Sequence, residues 1–527
     1  MIGRLTLGVL LGAVWLAASS CASAAPDSEV LTVGVAADLG HLDLARSMRM
    51  PPALILNATN QTLIDRSNDA QTRANVYSPE LARSWSSDEE GRVWTFVLEP
   101  GHRFDDGSEV TAAAVEYTFA RIFGLKRGTA SSFEFIQSVQ ALSRYEVRFT
   151  LTQPHPLFLP LVSDAAASII NPRVEAHAVE GDFASQWLGA HTAGSGPYRL
   201  SEYKPGTYYV LDRNPHHKGK AGDIRRVIIK VVRDEPVRRM QLVKGELDIA
   251  LDLSLETIQA LARNPDVQVQ SGPSNAFMYL GLNTERGLMS DARVRRAVAL
   301  SIDYEAILDG IFLGYAEEFR GPLPPGQPGA APELYPVRFD PEAARRMIDE
   351  LGIRRDRIVR MIYTPADPTF EPTALVIQAS LQSIGLNVRL QQMSLTAMID
   401  SLARGQYDIV MTGWVGESND PAILINFWLD SSRIGSAGNA ARYANPEVDR
   451  LLAQSIREVD PAERAATIRR LIAIANRDWP YIYLTQRHQW AASRTTLRGF
   501  SFNPNKSHDL GFHLIGKPAG LADGSAR

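Results

Sequence analysis

The chain has 527 residues, 45% hydrophobic and 22% charged, with 38 Gly, 31 Pro and one Cys; these fractions exclude a disordered, collagen-like or membrane-embedded chain and leave room for about three domains. Lys plus Arg number 55 against 59 Asp plus Glu, a formal net charge of −4. That excludes a general phosphate-neutralising surface, and with it nucleic acid as the main partner. One cysteine excludes a disulfide framework and any multi-cysteine zinc or iron–sulfur site.

The first 24 residues have the pattern of an export signal. Arg4 is the only charge, and Leu5 to Ala18 is an apolar run too short to span a bilayer comfortably. Two endings fit. Ala22-Ser23-Ala24 suits cleavage before Ala25, giving a soluble exported protein. Alternatively Ser19-Ser20-Cys21 resembles a lipidation box that makes Cys21 a lipid-anchored N-terminus, with Ala18 where leucine is usual. No later apolar run is long enough for a membrane span.

Val30 to Ala36 and Val93 to Leu98 read as strands. Asp105-Asp106-Gly107 is a turn, after which Thr111 can cap a helix through Arg121, with Val115, Phe119 and Ile122 on one stripe. Trp85, Trp94 and Tyr117 read as core aromatics. Tyr145 to Leu151 is a third strand, ended by Gln153-Pro154-His155-Pro156. Tyr198 to Asp212 and Val227 to Val232 read as strands of a different sheet, separated by the turn Asn214 to Asp223. A short helix (Arg238 to Lys244), a strand (Leu247 to Leu251) and a helix from Ser254 follow.

In the second half Ser290 is placed to cap a helix carrying Val294, Ala297 and Val298. Gly321 to Pro332 reads as a surface excursion. Asp340-Pro341-Glu342 opens a helix that Gly352 closes. Then come strand Ile358 to Tyr363, helix Thr373 to Ile384, strand Leu386 to Leu390, helix Leu395 to Ala403 and strand Tyr407 to Trp414. This alternation implies right-handed crossovers and a mostly parallel sheet. Asn445-Pro446 and Asp460-Pro461-Ala462-Glu463 start two more helices.

No nucleophile elbow, phosphate loop or zinc-protease motif is present. Gly194-Ser195-Gly196-Pro197 has the wrong glycine spacing for a nucleophile turn and reads as strand entry. His216-His217 reads as a solvated turn, and the acidic pairs Asp105-Asp106 and Asp88-Glu89-Glu90 as turn-formers.

Several segments together resemble the family 5 extracellular solute-binding proteins, the peptide/nickel-type receptors of ABC importers. They are Pro79-Glu80-Leu81-Ala82-Arg83-Ser84-Trp85, Trp94-Thr95-Phe96-Val97-Leu98-Glu99-Pro100-Gly101 with Arg103-Phe104-Asp105-Asp106-Gly107, and Gly194-Ser195-Gly196-Pro197-Tyr198. Further along stand Gly245-Glu246-Leu247-Asp248, Leu280-Gly281-Leu282-Asn283-Thr284, Asp291-Ala292-Arg293-Val294-Arg295-Arg296-Ala297, and Gly405-Gln406-Tyr407-Asp408-Ile409-Val410 ending at Gly413-Trp414. The resemblance implies an α/β, bilobal periplasmic binding protein fold (type II, cluster C-like) with an extra domain inserted in the first lobe. It implies residues 1–24 as signal peptide, lobe I from 25–60, 191–276 and 487–527, the extra domain from 61–190, and lobe II from 277–486. Ser271 to Met278 and Thr485 to His488 would be the crossing points and hinge candidates.

The resemblance implies an exported, monomeric receptor, without cofactor or metal, that closes over a di- or oligopeptide and hands it to an ABC permease and ATPase. Membrane contact would come only through the permease or a lipid on Cys21. The segment after the Gly-Trp pair lines the family's cleft: here Trp414, Val415, Gly416 and Glu417. Peptide-binding members place an aspartate where this chain has Glu417, and the charge can pair with a ligand ammonium. Main-chain groups of Val415 and Gly416 on one side, and of the Ala37 to Leu42 region (Leu39, Gly40, His41) on the other, would hold an extended ligand as an added strand. The family also takes nickel chelates, oligosaccharides, opines and glutathione. A sensory rather than transport role, and a secreted hydrolase, are the competing classes; the chain offers no nucleophile with a partner base.

Overall fold

The computed structural model describes residues 27–46, 52–68, 75–88, 90–219, 222–325, 327–365, 367–415, 420–435, 438–458, 460–503 and 508–518. The export segment with Cys21 lies outside them, as do Gly416 and Glu417. Seventeen strands stand among the described residues. The first seven are β1 (Val30–Val35), β2 (Ile64–Asn68), β3 (Asn75–Pro79), β4 (Ala82–Ser87), β5 (Val93–Leu98), β6 (Ile136–Ser143) and β7 (Glu146–Leu151). Next come β8 (Tyr198–Lys204), β9 (Tyr208–Arg213), β10 (Arg226–Val231), β11 (Ile249–Ala250), β12 (Val267–Leu282) and β13 (Ala316–Glu318). The last are β14 (Ile358–Tyr363), β15 (Asn387–Gln392), β16 (Ile409–Val415) and β17 (Tyr481–Arg494).

One eleven-stranded sheet runs in the order β15-β14-β16-β12-β17-β11-β1-β10-β9-β8, with β13 added along β17. β4-β5-β7-β6 form a separate four-stranded antiparallel sheet, and β2 pairs β3. The expected parallel core is present where strands alternate with helices: β14 lies parallel to β15 and to β16. The rest of that half departs from the expectation, because β12 runs antiparallel to both β16 and β17. Helices Pro421–Leu429, Pro446–Arg457 and Pro461–Asp478 lead from β16 to β17, but the two strands are not neighbours: β12 lies between them and runs against both.

The three largest apolar cores among the described residues follow this layout. One draws only on residues from Phe277 to Leu484. A second combines Leu31–Ala58, Tyr198–Leu251 and Ala491–Ile515. The third, over the four-stranded sheet, runs from Ala45 to Ile169. The long strands β12 and β17 run from the Phe277–Leu484 core to a smaller one built on Leu242, Leu247, Val267 and Ala492. They pair from Val267–Arg494 to Gly281–Tyr481, with a register shift between Pro273 and Ala276. That shift lies inside the 271–278 stretch marked as a crossing point.

Local sequence explains most boundaries. Asp340 accepts from the Ala343 N–H at 2.8 Å ahead of helix Pro341–Glu350, with proline at its first position. Ser394 caps helix Leu395–Arg404, and Gly405 closes it in a left-handed conformation. Gly194 and Gly196 are glycine for a different reason. A Cβ on either would lie within 2.8 Å of backbone atoms of Thr59–Asn60. The Gly-Ser-Gly-Pro motif is therefore a close backbone crossing, and the Ser195 hydroxyl is buried without a hydrogen-bond partner.

Five local expectations need correction. Asp291, not Ser290, caps helix Ala292–Ser301, accepting from the Arg293 N–H at 2.8 Å; Ser290 ends the 3-10 turn before it. Thr111 precedes helix Ala112–Leu125 but makes no side-chain cap bond. Gly321 to Pro332 is not a surface excursion: residues 321–324, Gln327 and Ala331 are buried, and Leu323 and Ala331 join the large core. Proline has no N–H, so this segment can be buried with few donors left unpaired. His216-His217 is only in part a solvated turn: His216 is exposed there, but His217 is partly covered and its Nδ1 lies 3.0 Å from the Ser195 carbonyl. Trp85, Trp94 and Tyr117 are only partly buried, packed at the edges of their cores.

Candidate functional site

Four features bear on the candidate site. The first is the segment after β1. Ala36 N–H donates to Asp252 Oδ2 (3.0 Å), Leu39 N–H to the Tyr209 hydroxyl (3.1 Å) and Gly40 N–H to Asp38 Oδ1 (2.8 Å). Asp38 also accepts from the Tyr209 and Tyr203 hydroxyls, at 2.5 and 3.4 Å, and from Gly206 N–H. Burial works against its ionised form, but these donors outweigh it and hold the carboxyl below its usual range. The side chain of Leu39 belongs to the core, and the His41 ring packs on Gly189 while its Nδ1 accepts from Asp43 N–H (3.2 Å). Leu39, Gly40 and His41 thus present main chain rather than side chains. The Leu39 and Gly40 N–H groups are already bonded internally. Among the described residues the N–H groups of Ala37, Asp38 and His41 and the carbonyls of residues 37–41 carry no partner.

The second feature is the end of β16. Trp414 stands opposite Phe277 of β12 in the ladder and stacks flat on Phe427 at 4.0 Å, with the Trp428 ring edge-on at 5.8 Å. Phe427 and Trp428 belong to helix Pro421–Leu429, so that helix fixes the indole. Val415 is 61% exposed, so its side chain serves no core. Among the described residues no hydrogen bond or ion pair joins Trp414–Val415 to Leu39–His41; each is held by its own core.

The third feature is the crossing itself. Ser274 Oγ donates to the Arg487 carbonyl (2.8 Å) and accepts from Ala276 N–H (3.1 Å), and Gln486 Nε2 donates to the Ser274 carbonyl (2.9 Å). Arg487 pairs through Nη1 with Asp367, its guanidinium 5.7 Å above the Phe312 ring. Burial alone would raise the Asp367 carboxyl, but the Arg487 charge and Thr369 hold it below its usual range.

The fourth is a cavity of about 500 Å³ between the small-sheet unit and the Phe277–Leu484 core. Tyr77, Trp94, His155 and Leu159 line it on one side, and Asp420, Arg464 and Ile468 on the other. Arg464 holds both oxygens of Asp420, at 2.7 and 3.2 Å. His155 lies flat on Phe135 at 3.8 Å, and burial pushes its pKa down to about 4.

The sequence reading pointed to Trp414 and to the β1 segment, and missed Asp38, Asp367, Arg487, Asp420 with Arg464, and the Tyr77–Trp94–His155 wall. Of these, Trp94 stands out in the sequence only as a core aromatic, and Arg487 only as part of the Thr485–His488 crossing point.

Comparisons with known proteins identify the family and the fold. Residues 76–436 match the model of bacterial extracellular solute-binding proteins, family 5 Middle. The chain belongs to that family. It is 33% identical over 484 residues to the probable D,D-dipeptide-binding periplasmic protein DdpA of Escherichia coli (strain K12), covering 92% of this chain and 93% of DdpA. The fold superimposes on HbpA2 from Haemophilus parasuis with a TM-score of 0.83 at 22% identity, covering 93% of this chain and 99% of that one. It also superimposes on a dipeptide binding protein from Pseudoalteromonas sp. SM9913 in complex with Met-Leu, with a TM-score of 0.74 at 21% identity, covering 93% and 100%. This family 5 member therefore has the bilobal periplasmic binding protein fold. The family is one of solute binders, and Ser195, whose buried hydroxyl has no hydrogen-bond partner, is no activated nucleophile.

Proposed function

We propose that this protein is the periplasmic receptor of an ABC importer, capturing short peptides in extended form and delivering them to the permease and its ATPase. The observation that carries the reading is the run of unpartnered main-chain groups at residues 37–41, set at the end of an otherwise fully paired strand. An extended peptide can add to such an edge through its own backbone. The names of the relatives support the same ligand class, and DdpA puts dipeptides of D-residues among the first to test.

On this reading lobe I comprises residues 25–60, 191–276 and 487–527, the inserted domain 61–190, and lobe II 277–486, with residues 1–24 as the export signal. The bulge at Pro273–Ala276 and the facing Thr485–His488 are the hinge. Ligand shifts the open–closed equilibrium of the lobes, without turnover, and the monomeric closed form engages the permease. Trp414 is a cleft wall, Val415 and Gly416 offer main chain, and Glu417 pairs with the ligand ammonium. Leu39, Gly40 and His41 contribute main chain, chiefly carbonyls. Cys21 is the anchor if the chain is lipidated.

Calorimetric titration with Ala-Ala, D-Ala-D-Ala and trialanine, and with their N-acetyl forms, tests the reading. Free-amine peptides should bind and acetylated ones should not. Glu417→Gln should weaken the free-amine peptides by roughly 2–5 kcal/mol, the usual loss when one member of a desolvated charge pair is removed. Unchanged binding in the Gln variant would remove the anchor role, and no binding by any peptide would remove the peptide reading.

A further inference from the structure

The cavity between the inserted domain and lobe II has a volume of about 500 Å³, within the roughly 300–1,000 Å³ typical of small-molecule sites. Its walls are mainly rings, prolines and branched side chains. Trp94 is fixed by its indole N–H donating to the Gly91 carbonyl (3.1 Å) and by packing on Phe158 (5.2 Å). Opposite stand Ile456 and Ile468. Walls that are already rigid lose little conformational entropy when a ligand arrives.

The charges in the wall cancel. Asp420 and Arg464 form a two-bond pair, and Arg457 and Glu458 again carry opposite signs. Tyr77 and the half-buried His155 ring add polar edges. Nothing there recommends a net charge on the ligand, and an unpaired charge in such a place would be costly. One helix links the cavity to the proposed cleft wall: helix Pro421–Leu429 begins at the cavity and carries the Phe427 on which Trp414 stacks.

We infer that this cavity receives an aromatic or bulky apolar, uncharged side chain of the captured peptide, so that Tyr77 and Trp94 of the inserted domain take part in selecting the ligand. The inference rests on the peptide reading above and adds a side-chain preference to it. Because its two walls belong to different units, the pocket is completed only when they come together.

The test compares trialanine with three peptides in which one alanine at a time is replaced by phenylalanine. Wild-type protein should bind at least one phenylalanine peptide roughly tenfold or more tightly than trialanine, the weight of a filled apolar pocket. Ala465→Trp, which fills the cavity from lobe II, should abolish that preference while leaving trialanine binding unchanged. A Leu159→Trp variant, filling it from the inserted domain, should do the same, and thermal melts of both confirm folding. Peptides that bind without ring preference, or a preference surviving both fillings, would overturn the inference while leaving the peptide reading intact. Wild-type protein that binds none of the four would overturn both.

Discussion

Arg121 and Asp43 form an ion pair in which each side chain is only 4% exposed. Arg121 belongs to helix Ala112–Leu125, over the four-stranded sheet, and Asp43 to the segment after β1. The pair therefore ties the four-stranded-sheet unit to the segment that follows β1. Ser185 Oγ donates to the same carboxylate at 2.6 Å, and Arg121 Nε donates to the Phe183 carbonyl at 2.9 Å.

Arg121→Met should cost about 3–5 kcal/mol in urea unfolding, because it strands a buried carboxylate. Adding Asp43→Asn should recover part of that loss, since the two sites are coupled. Additive losses in the double variant would contradict the pairing as the cause.

Ser274 sits in the bulge where β12 crosses between lobes, serving one donor and one acceptor at once. Ser274→Ala leaves the Ala276 N–H and the Arg487 carbonyl unpaired, at about 1–3 kcal/mol for a buried group. If the bulge is the hinge, the variant should also change the ligand-induced decrease in radius of gyration seen by small-angle scattering. Lost stability with unaltered compaction would make Ser274 a purely structural residue.

Two groups give pH effects of opposite sign. His102 is buried and its pKa is pushed down to about 4, by burial and then by Lys218 and His217. Unfolded histidine titrates near 6.5, so the folded state binds fewer protons between about pH 6.5 and 4. Stability is full above that window and falls as pH drops through it. His102→Gln should flatten the decline in melting temperature across the window; an unaltered slope would contradict the assignment.

Burial, and then Asp106, raise Asp105 from its usual 3.8 to about 6. Its folded form holds a proton more tightly, so stability present below pH 3.8 is lost as pH rises to about 6. Asp105→Asn should melt higher than wild type at pH 7, with the gap closing near pH 4. A constant gap at all pH values would point to packing instead.

Much of this was legible locally. The alternation of strands and helices from Ile358 to Trp414 stands out because each strand is apolar and each helix carries its own caps, as at Asp340 and Ser394. Trp414 was identifiable from its motif. What the sequence withheld depends on distant partners. Asp43 meets Arg121 from 78 positions away and Asp420 meets Arg464 from 44, and neither spacing has a local signature. The antiparallel run of β12 against β17 was hidden for the same reason. The Gly321–Pro332 stretch misled because loops rich in proline and glycine usually stay at the surface, whereas this one covers the lobe II core.

The central claim is peptide capture, and native mass spectrometry of protein purified gently from its own periplasm tests it most directly. A bound ligand stabilises the folded form by mass action and can survive purification. The account predicts a ladder of bound masses matching short peptides, rich in residues with aromatic or bulky apolar side chains. A single bound mass that matches no peptide would contradict it.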